Sequence, residues 1–144
     1  MVEKKKKDKP KIFFTTGKRR KAVARAKVVP GTGRIIINST PLEIWSSEPM
    51  RLWVTEPLVM ADELAGSVDI RVNARGGGTA GQAEAARMAI ARGLVDFSKD
   101  KKLREKFMKY DRNLLVYDPR RNEPHHAGGG SRRGSRRHKQ RSKR

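Results

Sequence analysis

Apolar and polar positions alternate over residues 20–29, with Ala22, Ala24, Ala26 and Val28 on one side and Lys21, Val23, Arg25 and Lys27 on the other. A period of two predicts a strand with one basic face. Pro30-Gly31-Thr32-Gly33 supplies turn chemistry, and Arg34-Ile35-Ile36-Ile37-Asn38 is a β-branched run, so the two stretches together predict a β-hairpin. Thr40-Pro41-Leu42-Glu43 fits a capping box with proline at the first helical position, which predicts a short helix. Thr55-Glu56-Pro57 predicts the start of another, ending at Gly66. Alternation returns over 68–75, where Val68, Ile70, Val72 and Ala74 face in and Asp69, Arg71, Asn73 and Arg75 face out. After Gly76-Gly77-Gly78, a second capping box from Thr79 to Gln82 opens a helix that turns Ala83, Ala86, Ile90, Leu94 and Phe97 to one side. Leu103, Phe107 and Tyr110 mark one face of a further helix, and Leu114-Leu115-Val116-Tyr117 predicts a short strand closed by Asp118-Pro119. Trp45 and Trp53 sit among apolar helical positions and are expected in the core. The predicted fold class is α/β (two-layer α+β), a four-stranded sheet with helices packed on it.

Charge changes this picture at the ends of the chain. The 144 residues carry 35 Lys and Arg against 15 Asp and Glu, a net charge of +20. The excess is local. Residues 17–27 hold six cations and no acid, and residues 120–144 hold ten cations and one acid, Glu123, whereas residues 28–119 hold thirteen cations and twelve acids. The expected organisation is therefore a basic N-terminal extension over 1–16, a globular body over 17–119 and an extended basic C-terminal tail over 120–144. At about 3.3 Å per residue that tail reaches on the order of 80 Å. Such a balance calls for a polyanion, nucleic acid first and an anionic membrane surface second. Cysteine is absent, which excludes disulfide scaffolds, Cys-ligated zinc and thiol catalysis. No apolar run exceeds four residues, as in Leu58-Val59-Met60-Ala61, which is far short of a membrane span, and the N-terminus lacks the apolar core of a secretory signal, so a cytosolic protein is expected.

Gly76-Gly77-Gly78-Thr79-Ala80-Gly81 matches G-x-G-x-x-G between a predicted strand and a predicted helix. The chain is too short for a dinucleotide fold, and no second parallel strand carries the acidic partner. A P-loop needs lysine where Gln82 stands. The physics of the motif still holds: glycines let a backbone approach a phosphate, and the N–H groups of the first helical turn point at it. The same glycines also suit a turn needing positive φ, and both readings stay open. Lys18, Arg19, Arg20 and Lys21, with Arg25 and Lys27, form a basic cluster dense enough for phosphate contact. His125, His126 and His138 lack the companions of a metal site, and no paired carboxylates or nucleophile motif appears, so neither a metal, a cofactor nor an enzymatic activity is expected. A DNA-compacting architectural protein is the main rival reading, and a small nucleotide-dependent enzyme the other.

These residues resemble the family of protein nine of the small ribosomal subunit. The resemblance runs from Gly17-Lys18-Arg19-Arg20-Lys21-Ala22-Val23-Ala24-Arg25 through Gly31-Thr32-Gly33-Arg34-Ile35, Asn38, Pro41-Leu42 and Gly76 to Ala83, and ends in Ser142-Lys143-Arg144. Asp111-Arg112 and Tyr117-Asp118-Pro119-Arg120-Arg121 look like its archaeal and eukaryotic branch. The resemblance implies a left-handed βαβ crossover and a place in the head of the small subunit beside neighbouring head proteins, with no membrane and no small-molecule substrate. It implies ribosomal RNA contacts from Lys18, Arg19, Arg20, Lys21, Arg25 and Lys27, from Arg75, Gly76, Gly77, Gly78 and Gln82, and from Arg120, Arg121, Arg132, Arg133, Arg136 and Arg137. It further implies that Ser142, Lys143 and Arg144 touch the anticodon stem of peptidyl-site transfer RNA.

Overall fold

A computed structural model describes residues 11–122. Five strands form one sheet: β1 (Phe13–Arg19), β2 (Ala22–Pro30), β3 (Ile35–Ile37), β4 (Thr40–Pro41) and β5 (Val68–Arg75), in the spatial order β1-β2-β5-β3-β4. The helices are α1 (Glu48–Ala61), α2 (Glu63–Gly66), α3 (Thr79–Ser98) and α4 (Lys101–Tyr110), with 3-10 turns at Leu42–Ile44 and Arg112–Leu114. The α/β class stands; among the described residues the sheet has five strands rather than four.

The alternations over 20–29 and 68–75 become β2 and β5, whose inward residues are buried as their period required. Their partners differ from the expectation. β2 pairs antiparallel with β1 and with β5, whereas β3 lies beyond β5 and runs parallel to it. The expected hairpin between 20–29 and 34–38 is replaced by the β1–β2 hairpin. Its first strand presents Phe13, Thr15, Gly17 and Arg19 inward, a set too polar to show as an apolar period. The turn after β2 is instead pinned to β5: Asp69 accepts the N–H groups of Thr32 (2.8 Å) and Arg34 (3.0 Å), and Gly31 N–H donates to Ser67 O.

α3 packs across β1, β2 and β5, and α1 packs on α3. The seam is made of small residues. Ala22, Ala24 and Ala26 of β2 and Ala85, Ala86 and Ala89 of α3 are all buried. A Cβ placed on Gly17 would stand 1.9 Å from Ala85 O, and one on Gly93 would stand 2.6 Å from Val28 Cγ2. Thr15 Oγ1 donates to Ala89 O at 2.7 Å inside the seam, so the polar group of a buried strand position is satisfied by the helix backbone.

Other expectations need correction. α1 starts after Ser47, with Pro49 in its first turn, and contains Pro57. Val54, Pro57 and Leu58 form its buried stripe, and that burial offsets the hydrogen bond the proline removes. Thr40 joins β4 and caps nothing, and Gly78, not Thr79, precedes α3. Residues 114–117 form no strand: Asp111 accepts the N–H of Asn113 and winds the chain into a 3-10 turn that buries Leu114. Trp45 is buried, but Trp53 is 39% exposed, and Tyr110 faces solvent while Phe107 on the same helix is buried.

Gly17→Ala should lower unfolding stability by about 3 kcal/mol, because the new methyl meets helix backbone that cannot step aside. Gly66→Ala, where a Cβ meets nothing within 4 Å, should stay within about 1 kcal/mol of the parent. Urea unfolding of the two variants measures the difference, and equal midpoints would contradict this account of the seam.

Candidate nucleic-acid interface

The β1–β2 hairpin closes through a two-residue turn, Arg20-Lys21, because Arg19 pairs directly with Ala22. Arg20 has φ 52°, a left-handed conformation that glycine usually fills in such turns. The chain thus places two cations at the hairpin tip in spite of backbone strain.

The glycine run packs against this tip. A Cβ on Gly76 would lie 2.5 Å from Lys21 O, and Gly76 and Gly77 have φ 78° and 63°. For these two residues the turn reading is sufficient. Gly78 differs: a Cβ there would meet nothing within 4 Å, and its φ of −118° is open to any residue. Its bare backbone borders a cleft of about 390 Å³ lined by Arg19, Arg20, Lys21, Gly77, Gly78, Ala80, Gly81, Glu84 and Asn122. α3 begins there with no side-chain cap and no acid in its first turn, so its leading N–H groups and the positive end of its dipole face the cleft. Gln82 is turned back, its Nε2 donating to Gly76 O at 3.2 Å, and braces the loop.

The C-terminal end of the described chain joins the same place. Asp118, 8% exposed, accepts from Arg120 N–H (2.9 Å), from Arg120 Nε (2.7 Å) and from the Arg19 guanidinium. Arg19 also pairs with Glu84. Arg121 donates to Arg20 O at 3.2 Å and lies 5.6 Å over the Tyr117 ring. Arg120, then Arg19, hold the Asp118 carboxyl well below the usual carboxylate range. The Arg34 and Thr32 N–H groups lower that of Asp69. Arg19 and Arg120 are therefore engaged by carboxylates, whereas Arg20 and Lys21 are exposed and line the cleft.

Of the expected contact residues, Arg19, Arg20, Lys21, Gly76, Gly77, Gly78, Gln82, Arg120 and Arg121 are brought together. Lys18, Arg25, Lys27 and Arg75 stand apart from the cleft, exposed on the sheet face opposite α3. Arg132, Arg133, Arg136, Arg137, Ser142, Lys143 and Arg144 lie outside the described residues, as do His125, His126 and His138. Among the described residues no acid or histidine cluster could hold a metal. Arg71 joins the outer basic face opposite Lys27. Its outward position was legible from the alternation over 68–75, but its role was not, because one arginine among ordinary surface charges carries no motif. Arg87, which bridges Glu56 on α1 and Asp111, and Arg92, which donates to Thr16 O (2.7 Å) and Leu115 O (2.9 Å), are further structural cations with no sequence signal.

Because the Asp118 and Asp69 pKa values are depressed on folding, their stabilisation is complete above the unfolded value of 3.8 and is lost as pH falls through the folded values. Asp118→Asn should lower the melting temperature at pH 7 and shrink the drop between pH 5 and pH 2. Thermal unfolding across that range checks it, and an acid limb unchanged by the substitution would contradict the ion-pair assignment.

Residues 17–144 match the family described as ribosomal protein S9/S16. The chain is 43% identical over 115 residues to a small ribosomal subunit protein uS9 from Methanococcus vannielii, covering 80% of this chain and 86% of the relative. It is 46% identical over 117 residues to one from Desulfurococcus amylolyticus, covering 81% and 84%. A third, from Pyrobaculum aerophilum, is 47% identical over 114 residues, covering 79% and 80%. The match runs through the basic hairpin, the glycine loop and the Asp118 clamp alike, and on that ground the chain belongs to the ribosomal protein S9/S16 family.

Proposed function

We propose that this protein is a structural, non-enzymatic component of the small ribosomal subunit that binds small-subunit ribosomal RNA in the head and supports translation in the cytoplasm. The observation that carries the reading is the cleft in which Arg20, Lys21 and the uncapped start of α3 converge, beside an Arg121 anchored on Arg20. Cations and free N–H groups recognise phosphate oxygens without reading sequence. Lys18, Arg25, Lys27 and Arg75 extend the contact over the sheet. The named relatives favour ribosomal RNA over other polyanions.

In this reading the body docks, with the expected boundary at 16 giving way to β1, which starts at Phe13, and the basic residues before β1 and beyond Asn122 lie among RNA segments that neutralise them. Ser142, Lys143 and Arg144 touch the anticodon stem of peptidyl-site transfer RNA, and neighbouring head proteins complete the surroundings. The parallel pair β3–β5 is joined through α1 and α2; its left-handed sense is carried over from the family resemblance. The DNA-compacting alternative predicts equal affinity for duplex DNA, so competition between ribosomal RNA and duplex DNA separates the two.

Deleting 120–144 should leave the body folded and make the dependence of log K on log salt shallower, by about 0.7–0.9 for each phosphate that the tail neutralises in the intact complex. Titrations of small-subunit RNA at several salt concentrations measure that slope, and an unchanged slope would refute a binding role for the tail. Removing Ser142, Lys143 and Arg144 alone should loosen transfer RNA from the peptidyl site while subunits still assemble. Equal retention by subunits carrying intact and shortened protein would rule out the transfer RNA contact.

A further inference from the structure

We propose that the face of the sheet opposite α3 holds an unpaired segment of RNA, with the ring of Phe14 stacked on one of its bases. The inference rests on the RNA-binding reading above and adds to it the form of the RNA and the residue that senses it. On this face the strand register sets Phe14 opposite Lys27 and Thr16 opposite Arg25, with Arg71 next to Lys27 and Asn73 next to Arg25 on β5. All six side chains are exposed, and no described element covers them. The one acid of β5 on this face, Asp69, stands at its far end and is already engaged by the Thr32 and Arg34 N–H groups. The surface therefore presents a positive field with a single aromatic ring at its edge.

Phe14 is 75% exposed, the highest value among the exposed large apolar residues described. Its neighbour Phe13 is turned inward and meets Phe97 edge-on at 5.8 Å, so the core has used one aromatic of the pair and left the other in solvent. Neighbouring strands are about 4.8 Å apart, so a phosphate held by Lys27 or Arg25 leaves its base within reach of the Phe14 ring. At the opposite edge of the same face, Ile36, Asn38, Ser39, Arg71 and Asn73 line a cleft of about 410 Å³. Asn38 is fixed there, its side chain accepting from Ala74 N–H at 2.8 Å and donating to Ala74 O at 3.0 Å. That cleft offers donors and acceptors to the edge of a second, splayed base. A duplex would engage the cations but keep its bases stacked inside, away from both the ring and the cleft. Aromatic stacking beside a basic track is the chemistry by which proteins grip single strands.

The test uses the full chain with two RNA probes of equal length and charge, one unpaired and one a hairpin. Phe14→Ala should weaken binding to the unpaired probe about tenfold, leave the salt slope unchanged and leave hairpin binding as it was, and Phe14→Trp should restore the loss. Unchanged binding of the unpaired probe, or an equal loss on both probes, would overturn the stacking proposal. The double variant Arg25→Ala/Lys27→Ala isolates phosphate contact by this face from contact by the hairpin-tip cleft. A shallower slope on both probes supports phosphate contact by this face even if Phe14 proves inert, whereas an unaltered slope would overturn the proposal for this face and leave the cleft as the RNA-binding surface.

Discussion

Contact between the backbones of α3 and the β1–β2 hairpin is the constraint on which the rest of the structure depends. Gly17 and Gly93 stand where any side chain would strike the opposite element, and alanines fill most of the remaining seam. Small residues permit a close approach but contribute little apolar area each, so the interface gains its stability from dispersion contacts over a long helix and from the buried Thr15–Ala89 hydrogen bond. The approach also sets where α3 begins. With the helix laid against β1 and β2, its first turn emerges beside the hairpin tip, and the loop before it must pass the Lys21 carbonyl so closely that only glycine fits.

The cleft at the hairpin tip follows from that placement. A hairpin tip, a helix start and the outgoing C-terminal segment come from three distant parts of the chain, and each brings positive charge. Left alone, such a gathering of cations would repel. Asp118 and Glu84 offset it by engaging Arg19 and Arg120, which fixes the exit of the C-terminal segment. The carboxylates therefore act as positioning groups, and the cations they hold differ from Arg20 and Lys21, the ones proposed to meet phosphate.

How much of this was legible in the sequence depended on side-chain type. β2 and β5 were legible because Ala, Val and Ile alternate with charged residues along them. β1 was not, since its inward positions are Phe, Thr, Gly and Arg, which suit a strand flush against a helix but break the apolar period. Pro57 read as a helix start because proline favours first turns, whereas here the buried stripe around it overrides the lost hydrogen bond. The motifs Lys18 to Lys21 and Gly76 to Gly81 were visible as chemistry. Their union with Arg120 and Arg121 was not, because it is made by an ion pair between Arg19 and Asp118 across 99 positions of sequence. Nor could sequence separate the glycines required by packing, Gly76 and Gly77, from Gly78, whose backbone is left open.

The central claim is that the helix start and the hairpin tip form one phosphate-binding surface on the folded body. Amide chemical shifts of the isotope-labelled full chain, followed as small-subunit RNA is added, test it most directly. The account predicts that the N–H signals of Gly78, Thr79, Ala80 and Gly81 shift together with those of Arg20 and Lys21. Shifts confined to residues outside 11–122, with those six signals unmoved, would contradict it.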